Sequence, residues 1–156
     1  MSIRLAKPND AAAILSVAEA SGLFERPEVA EIEGLLKEHF AAGETSEHNW
    51  LVVDDGGVSA VAYHAPERMT SGTSNLYMLV VHPDKQGRGL GRSLIERVER
   101  DLSAAGGRLL LVETLGVEEF EGQRRFYAAN GFSEEARIRD FYDAGLDKVV
   151  FRKSLI

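Results

Sequence analysis

The stretch Leu79-Val80-Val81-His82-Pro83-Asp84-Lys85-Gln86-Gly87-Arg88-Gly89-Leu90-Gly91 decides how this sequence is read. An apolar run over Asn75–Val81 is stopped by Pro83, and three alternating glycines feed a helical pattern spanning about Gly89–Ala104. Leu90, Leu94, Ile95, Val98 and Leu102 recur on one face of that helix, and Gly106-Gly107 ends it. A helix start presents N–H groups without intrahelical partners and a partial positive charge, so a strand–loop–helix of this kind accepts a phosphate. Gly87, Gly89 and Gly91 carry no side chain to hold phosphate oxygens off the main chain, while Arg88 and Arg92 add charged donors. Neither G-x-x-x-x-G-K-[ST] nor G-x-G-x-x-G is present. The competing local reading is a glycine-rich turn without a ligand.

Charge alone fits a solvated helix face with paired charges, and the glycine pattern inside the basic stretch is what tips the reading toward a ligand. The chain has 25 acids and 18 bases, a net charge of −7. Yet Lys85, Arg88, Arg92, Arg97 and Arg100 outnumber Glu96 and Glu99 between residues 85 and 100. A basic island in an acidic chain points to one anionic ligand held at one place, and away from nucleic acid as a partner. The 156 residues, 44% of them hydrophobic, suit a single domain over 1–156 that builds its own core. Cysteine is absent, which excludes disulfides, thiolate metal sites and a cysteine nucleophile. His39, His48, His64 and His82 lack metal-ligand spacing, so no metal is expected, and Gly-x-Ser-x-Gly is missing. No apolar run approaches the ~20 residues that cross a bilayer, and Met1-Ser2-Ile3-Arg4-Leu5 lacks the features of a signal peptide. A cytoplasmic protein without membrane partners is the expectation.

Outward from the loop, the hydrophobic period alternates between strand and helix. A short strand near Ile3–Leu5 precedes a helix to about Ala20, capped by Asn9 or Asp10. A second helix, about Glu28–Phe40, places Val29, Ile32, Leu35, Leu36 and Phe40 at helical spacing, with Gly22 and Pro27 punctuating the join. Trp50–Val53 and Val58–His64 read as a hairpin turned at Asp54-Asp55-Gly56-Gly57, with Trp50 a core anchor. Beyond the long helix come a strand at Arg108–Glu113 and a helix at about Gly122–Asn130, which Gly131 terminates. Strands near Phe132–Arg139 and Lys148–Arg152, joined around Asp143-Ala144-Gly145, close the chain. The order β-α-α-β-β-β-α-β-α-β-β predicts an α/β (α+β) fold with a mixed, mostly antiparallel central sheet flanked by helices.

Gln86-Gly87-Arg88-Gly89-Leu90-Gly91 resembles the [Q/R]-x-x-G-x-[G/A] acyl-CoA signature of the GNAT superfamily of N-acetyltransferases, led in by Val80-Val81-His82-Pro83. Arg125-Phe126-Tyr127-Ala128-Ala129-Asn130-Gly131-Phe132 is similar to the second signature, [F/L]-Y-x-x-x-G-F, and Ile3-Arg4-Leu5-Ala6 with Asn9-Asp10-Ala11 resembles the first strand and helix of many members. The resemblance spans nearly the whole chain and implies the acyl-CoA N-acyltransferase fold. It also implies acetyl-CoA as cosubstrate, its pyrophosphate on Gln86, Gly87, Arg88, Gly89, Leu90, Gly91 and Arg92. Pantetheine would pair with Leu79, Val80 and Val81, with the Val81 N–H polarising the thioester carbonyl, and Phe126 would also border the cofactor. An oxyanion donor of this kind is worth about 3 kcal/mol.

By the same resemblance Tyr127 is the acid that protonates the departing thiolate, a phenol being neutral at pH 7. Its local alternative is a core tyrosine packing like Phe126. Glu113, at a strand end, is the first candidate for the base, with Glu67, His64 and Glu118 behind it. Many members carry asparagine seven residues before the signature tyrosine; here Phe120 stands there, with Gln123 nearby. The implied activity is transfer of acetyl from acetyl-CoA to the primary amine of a small molecule by direct attack. The helix at Glu28–Phe40 and the 113–121 loop would shape the acceptor pocket, their acids (Glu28, Glu31, Glu33, Glu113, Glu118, Glu119, Glu121) suiting a cationic amine. A protein or peptide N-acetyltransferase and a non-catalytic acyl-CoA-binding module are the alternatives. The final strands offer an edge for a homodimer.

Overall fold

The computed structural model describes residues 1–156. Its elements are β1 (Ser2–Leu5), α1 (Ala11–Ser21), α2 (Arg26–Ala42), β2 (Asn49–Asp54), β3 (Val58–Pro66), β4 (Thr73–Val81), α3 (Leu90–Ala104), β5 (Leu109–Leu115), α4 (Glu121–Ala129), β6 (Ser133–Asp143) and β7 (Leu146–Ser154). This is the order the periodicity predicts. The strands hydrogen-bond in the order β1-β2-β3-β4-β5-β7-β6. Pairs β1/β2, β2/β3, β5/β7 and β6/β7 run antiparallel, whereas β4/β5 is parallel, so the sheet is mixed and mostly antiparallel. No helix is long and apolar enough to cross a membrane.

The chain falls into two compact units. The first comprises Met1–Ala65 and Met78–Val98. Helix α1 contributes Ile14, Val17 and Ala18, and α2 contributes Ile32 and Leu36, to a core shared with Trp50, Val52, Val61, Tyr63, Met78 and Val80. Trp50 is the anchor expected of it: the indole is buried and stacks on Tyr63 with centroids 4.3 Å apart. Strand alternation turns Leu51, Val53, Ala60 and Ala62 to the opposite face, where they are fully buried, as are Leu94, Ile95 and Val98 of α3. Each large aliphatic side chain so buried contributes about 1.5–3 kcal/mol.

Two helix starts differ from expectation. Asp10 occupies the N-cap position of α1 but makes no side-chain cap bond to that helix. A 3-10 turn over Pro8–Asp10 precedes α1, and the Asp10 carboxylate accepts the Lys7 N–H at 2.7 Å and pairs with Arg4, also at 2.7 Å. Arg4 in turn reaches Asp54 at 3.1 Å, so its guanidinium ties β1 to the end of β2. The strong charged bond outcompetes a cap. Pro27, read as punctuation, lies in the first turn of α2, where a missing N–H leaves no gap in the ladder. The helix begins at Arg26, and Glu28 accepts the Glu25 N–H at 3.1 Å.

The second unit comprises Pro66–Tyr77 and Glu99–Ile156. Leu76, Leu110, Val112, Tyr127, Phe132, Val149 and Phe151 are its buried apolar residues. Gly131 adopts φ +88° after α4, and a Cβ there would stand 3.1 Å from Lys153 Nζ, which donates to the Asn130 carbonyl. The left-handed φ is what favours glycine at the junction of α4 and β6, the lysine tip needing to yield only slightly to a Cβ. The last hairpin is longer than predicted, its strands reaching Asp143 and Leu146. Every residue of β6 is exposed, which leaves little apolar periodicity for a sequence reading to follow.

Candidate active site

In the first unit the signature loop forms as a helix entrance. Pro83–Lys85 makes a 3-10 turn, Gln86 is extended, and Gly87 and Gly89 take φ +76° and +78°. The first intrahelical bond of α3 runs from Ser93 N–H to the Gly89 carbonyl at 3.0 Å, so the N–H groups of Leu90, Gly91 and Arg92 precede the ladder. A Cβ on Gly87 or Gly89 would meet nothing within 4 Å, so these glycines answer to backbone conformation and to openness above the loop, not to crowding within the protein. Gln86, Gly87, Arg88 and Gly89 are exposed, while the Leu90 side chain anchors the helix start in the core. Arg92 points along the helix to Glu96 at 3.0 Å. The fit to a diphosphate lies in the open loop with its amides and in Arg88.

Strand β4 leads into that loop. Its N-terminal half, Thr73–Leu76, pairs in parallel with Leu109–Val112, and the ladder stops there although β4 runs on to Val81. The His82 N–H donates to the Ser59 carbonyl of β3 at 2.8 Å. Successive N–H groups of a strand point to opposite edges, so the Val81 N–H faces away from β3. Val80 is buried among the α1 and α2 side chains, and Leu79 and Val81 are half-buried.

Tyr127 lies in the second unit on α4, 9% exposed, with ring neighbours Phe126, Phe132 and Phe151 at centroid distances of 5.4, 5.7 and 6.1 Å. The ring therefore does the packing that the local alternative foresaw. Burial also pushes the phenol well above its ordinary value, which keeps it a proton donor at any neutral pH. Phe126 beside it is half-buried. Phe120 sits at the N-cap position of α4, and the 115–117 segment is held by Arg124, whose guanidinium donates to the carbonyls of Leu115 and Val117 at 2.7 and 2.8 Å.

Glu113 belongs to a polar cluster of the same unit. Its Oε1 accepts from Asn75 Nδ2 at 3.1 Å and pairs with Lys148 Nζ at 3.0 Å. The Asn75 amide also donates to Glu67 Oε1 at 3.1 Å, and the Tyr77 hydroxyl donates to the same oxygen at 3.1 Å. Two of the base candidates, Glu113 and Glu67, are thus joined through one amide. The other two are elsewhere: His64 is buried in β3 opposite Asn49, and Glu118 is exposed in a 3-10 turn. Of the remaining acids, Glu28 serves the start of α2, Glu33 pairs with Lys37 at 3.1 Å, Glu121 pairs with Arg125 at 3.9 Å, and Glu31 and Glu119 are exposed.

Five residues at this cluster escaped the sequence reading: Asn75, Tyr77, Lys148, Phe141 and Tyr142. Asn75 is 1% exposed but opens its apolar run directly after Thr73 and Ser74, so its polarity gave no local signal of burial. Phe141 and Tyr142 arrive through a bulge: Ile138 pairs with Lys148 and Asp143 with Leu146, so four residues of β6 oppose Asp147 alone. Asp140 takes φ +57° within it, its N–H donating to Asp147 Oδ1 at 3.0 Å and its carboxylate accepting from Gly145 at 2.8 Å. The Phe141 ring lies 4.2 Å from Lys148 Nζ, and partial burial, then the charge of Glu113, raise the Tyr142 phenol above its ordinary value.

The family described as Acetyltransferase (GNAT) domain matches residues 45–134. Over 87 residues, 56% of this chain, the sequence is 37% identical to a mycothiol acetyltransferase from Beutenbergia cavernae, and the matched part spans 29% of that protein. A solved GNAT-family protein from Desulfovibrio desulfuricans is 35% identical with a TM-score of 0.95, covering 99% of both chains. A Salmonella typhimurium protein solved with its cofactor acetyl-CoA shares the fold at 21% identity and TM-score 0.77, covering 100% of this chain and 94% of its own.

Proposed function

Starting from the GNAT acetyltransferase family, to which this chain belongs, we propose that it transfers the acetyl group of acetyl-CoA to the primary amine of a small molecule. The observation that carries this reading is the open loop at Gln86–Gly91, with three helix amides ahead of the first bond of α3 and two left-handed glycines. The likeness to a mycothiol acetyltransferase supports a small-molecule acceptor over a protein one.

In this reading the amides of Leu90, Gly91 and Arg92, with Gln86 and Arg88, hold the pyrophosphate. The Val81 N–H donates to the thioester oxygen as charge builds on it. The neutral amine attacks the carbonyl carbon, a C–N bond forms and the C–S bond breaks. The amine proton passes to Glu113, directly or through water, and the Tyr127 hydroxyl gives its proton to the departing sulfur, releasing free CoA thiol and an N-acetylated product. No covalent enzyme intermediate is formed, which agrees with a chain lacking cysteine.

The test is thiol release from acetyl-CoA across amino acids, polyamines, aminoglycosides and peptides. Turnover with small amines supports the proposal. Turnover confined to peptides would move the acceptor to protein, and CoA binding without thiol release from any acceptor would leave a binding module.

A further inference from the structure

Glu67 is a half-buried carboxylate that the fold supplies with neutral donors and no cation. Its backbone is pinned, the N–H donating to the Thr73 carbonyl at 2.9 Å and its carbonyl accepting from Thr70 Oγ1 at 2.7 Å. The carboxylate then receives Asn75 Nδ2 and the Tyr77 hydroxyl on one oxygen, Oε1. Because Asn75 Nδ2 stands 3.1 Å from both Glu67 Oε1 and Glu113 Oε1, the two oxygens are no more than twice that distance apart. Lys148 neutralises one of the pair, through Glu113. One negative charge is left over.

A purely structural cluster would not be finished this way. Asn75 is buried, and its Oδ1 has no donor within the protein. Around it the chain exposes aromatic surface: Tyr77, Phe141 and Tyr142 are each close to half exposed. Lys148 shows what the place accepts, since its ammonium lies between the Glu113 carboxylate and the face of Phe141. What the cluster shows to solvent includes the rings of Tyr77, Phe141 and Tyr142 beside a carboxylate without a paired cation.

We propose that this cluster selects the acceptor, and that the acceptor is a primary amine carrying a second, non-reacting positive charge seated at Glu67 and Tyr77. The inference rests on the amine-acetylation reading above. It separates two roles, because the attacking nitrogen must lose its proton to Glu113 and so cannot also be the lasting cation on Glu67. Asn75 is the positioning residue that holds the two carboxylates in one site.

The full chain, with and without CoA, is titrated calorimetrically with 1,4-diaminobutane and with butylamine. The expected result is about tenfold tighter binding of the diamine, a preference that shrinks as salt is raised. Glu67→Gln, nearly isosteric, brings the two amines to within about twofold. Equal affinities in the unaltered protein, a preference indifferent to salt, or an undiminished preference in a folded Glu67→Gln variant would each overturn the proposal. Diamine binding without any thiol release would refute acetyl transfer while leaving the cation site standing; turnover of both amines at equal efficiency would do the reverse.

Discussion

Replacing Gly89 separates the shape of the loop from its charge. At φ +78° an L-residue is strained by about 1–2 kcal/mol, while no protein atom lies within 4 Å of the added Cβ. Gly89→Ala should therefore lower the melting temperature by roughly 2–8 °C in a chain of this size. Gly89→Glu bears the same strain but sets a carboxylate beside the three helix amides. Two unit charges 4 Å apart at an effective dielectric of 20 repel by about 4 kcal/mol, and screening on an exposed loop reduces this to about 2–3 kcal/mol. CoA should then bind roughly 30- to 160-fold more weakly to Gly89→Glu than to Gly89→Ala. Calorimetric titration of both variants with CoA measures the difference. Equal dissociation constants in the two would refute the placement of the pyrophosphate on this loop.

Tyr127→Phe keeps the ring against Phe132 and Phe151 and should lower kcat by about 10²–10⁴-fold while the CoA dissociation constant moves less than twofold; equal losses in both would remove the acid role. The buried phenol has a raised pKa, so its contribution to stability is complete below about pH 10 and is lost as the pH climbs toward its folded value. Tyr127→Phe should flatten the alkaline fall in melting temperature. Asp10 is depressed, chiefly by its bond to Arg4, so its stabilisation is present above about pH 4 and disappears as the pH drops through its folded value. Asp10→Asn should lower the melting temperature at pH 7 and leave a shallower acid limb, read by melting temperature between pH 2 and 7. Leu94→Ala, at a fully buried position of α3, should cost about 2–4 kcal/mol by urea unfolding; a loss under 1 kcal/mol would contradict the packing of that face.

Much of this architecture is legible from residue patterns because it depends on local chemistry. The period of Leu90, Leu94, Ile95 and Val98 announces α3, and the glycines ahead of it announce a left-handed entrance, before any distance is known. Tyr127 and Gly131 are found because they lie within a few residues of each other on one helix end. What stays hidden depends on pairings across the chain. Asn75 meets Glu113 over 38 positions, and Arg4 meets Asp54 over 50, so no window of sequence contains either pair. The same competition misled the reading of Asp10, whose carboxylate finds a guanidinium in the preceding strand and leaves the helix uncapped. Phe141 and Tyr142 were hidden by the bulge, since a regular alternation assigns neighbouring residues to opposite faces.

That bulge also bears on how the protein can change. Phe141 and Tyr142 ride on an edge strand with no buried residue, fastened by Asp140, Arg137 and Asp147. Substitutions at those two aromatics would redraw the chemical preference of the surface while leaving the helices and the inner strands undisturbed. Ligand taste can drift in such a scaffold without forfeiting folding, and the kink itself denies a neighbouring molecule the straight backbone on which fibrils grow.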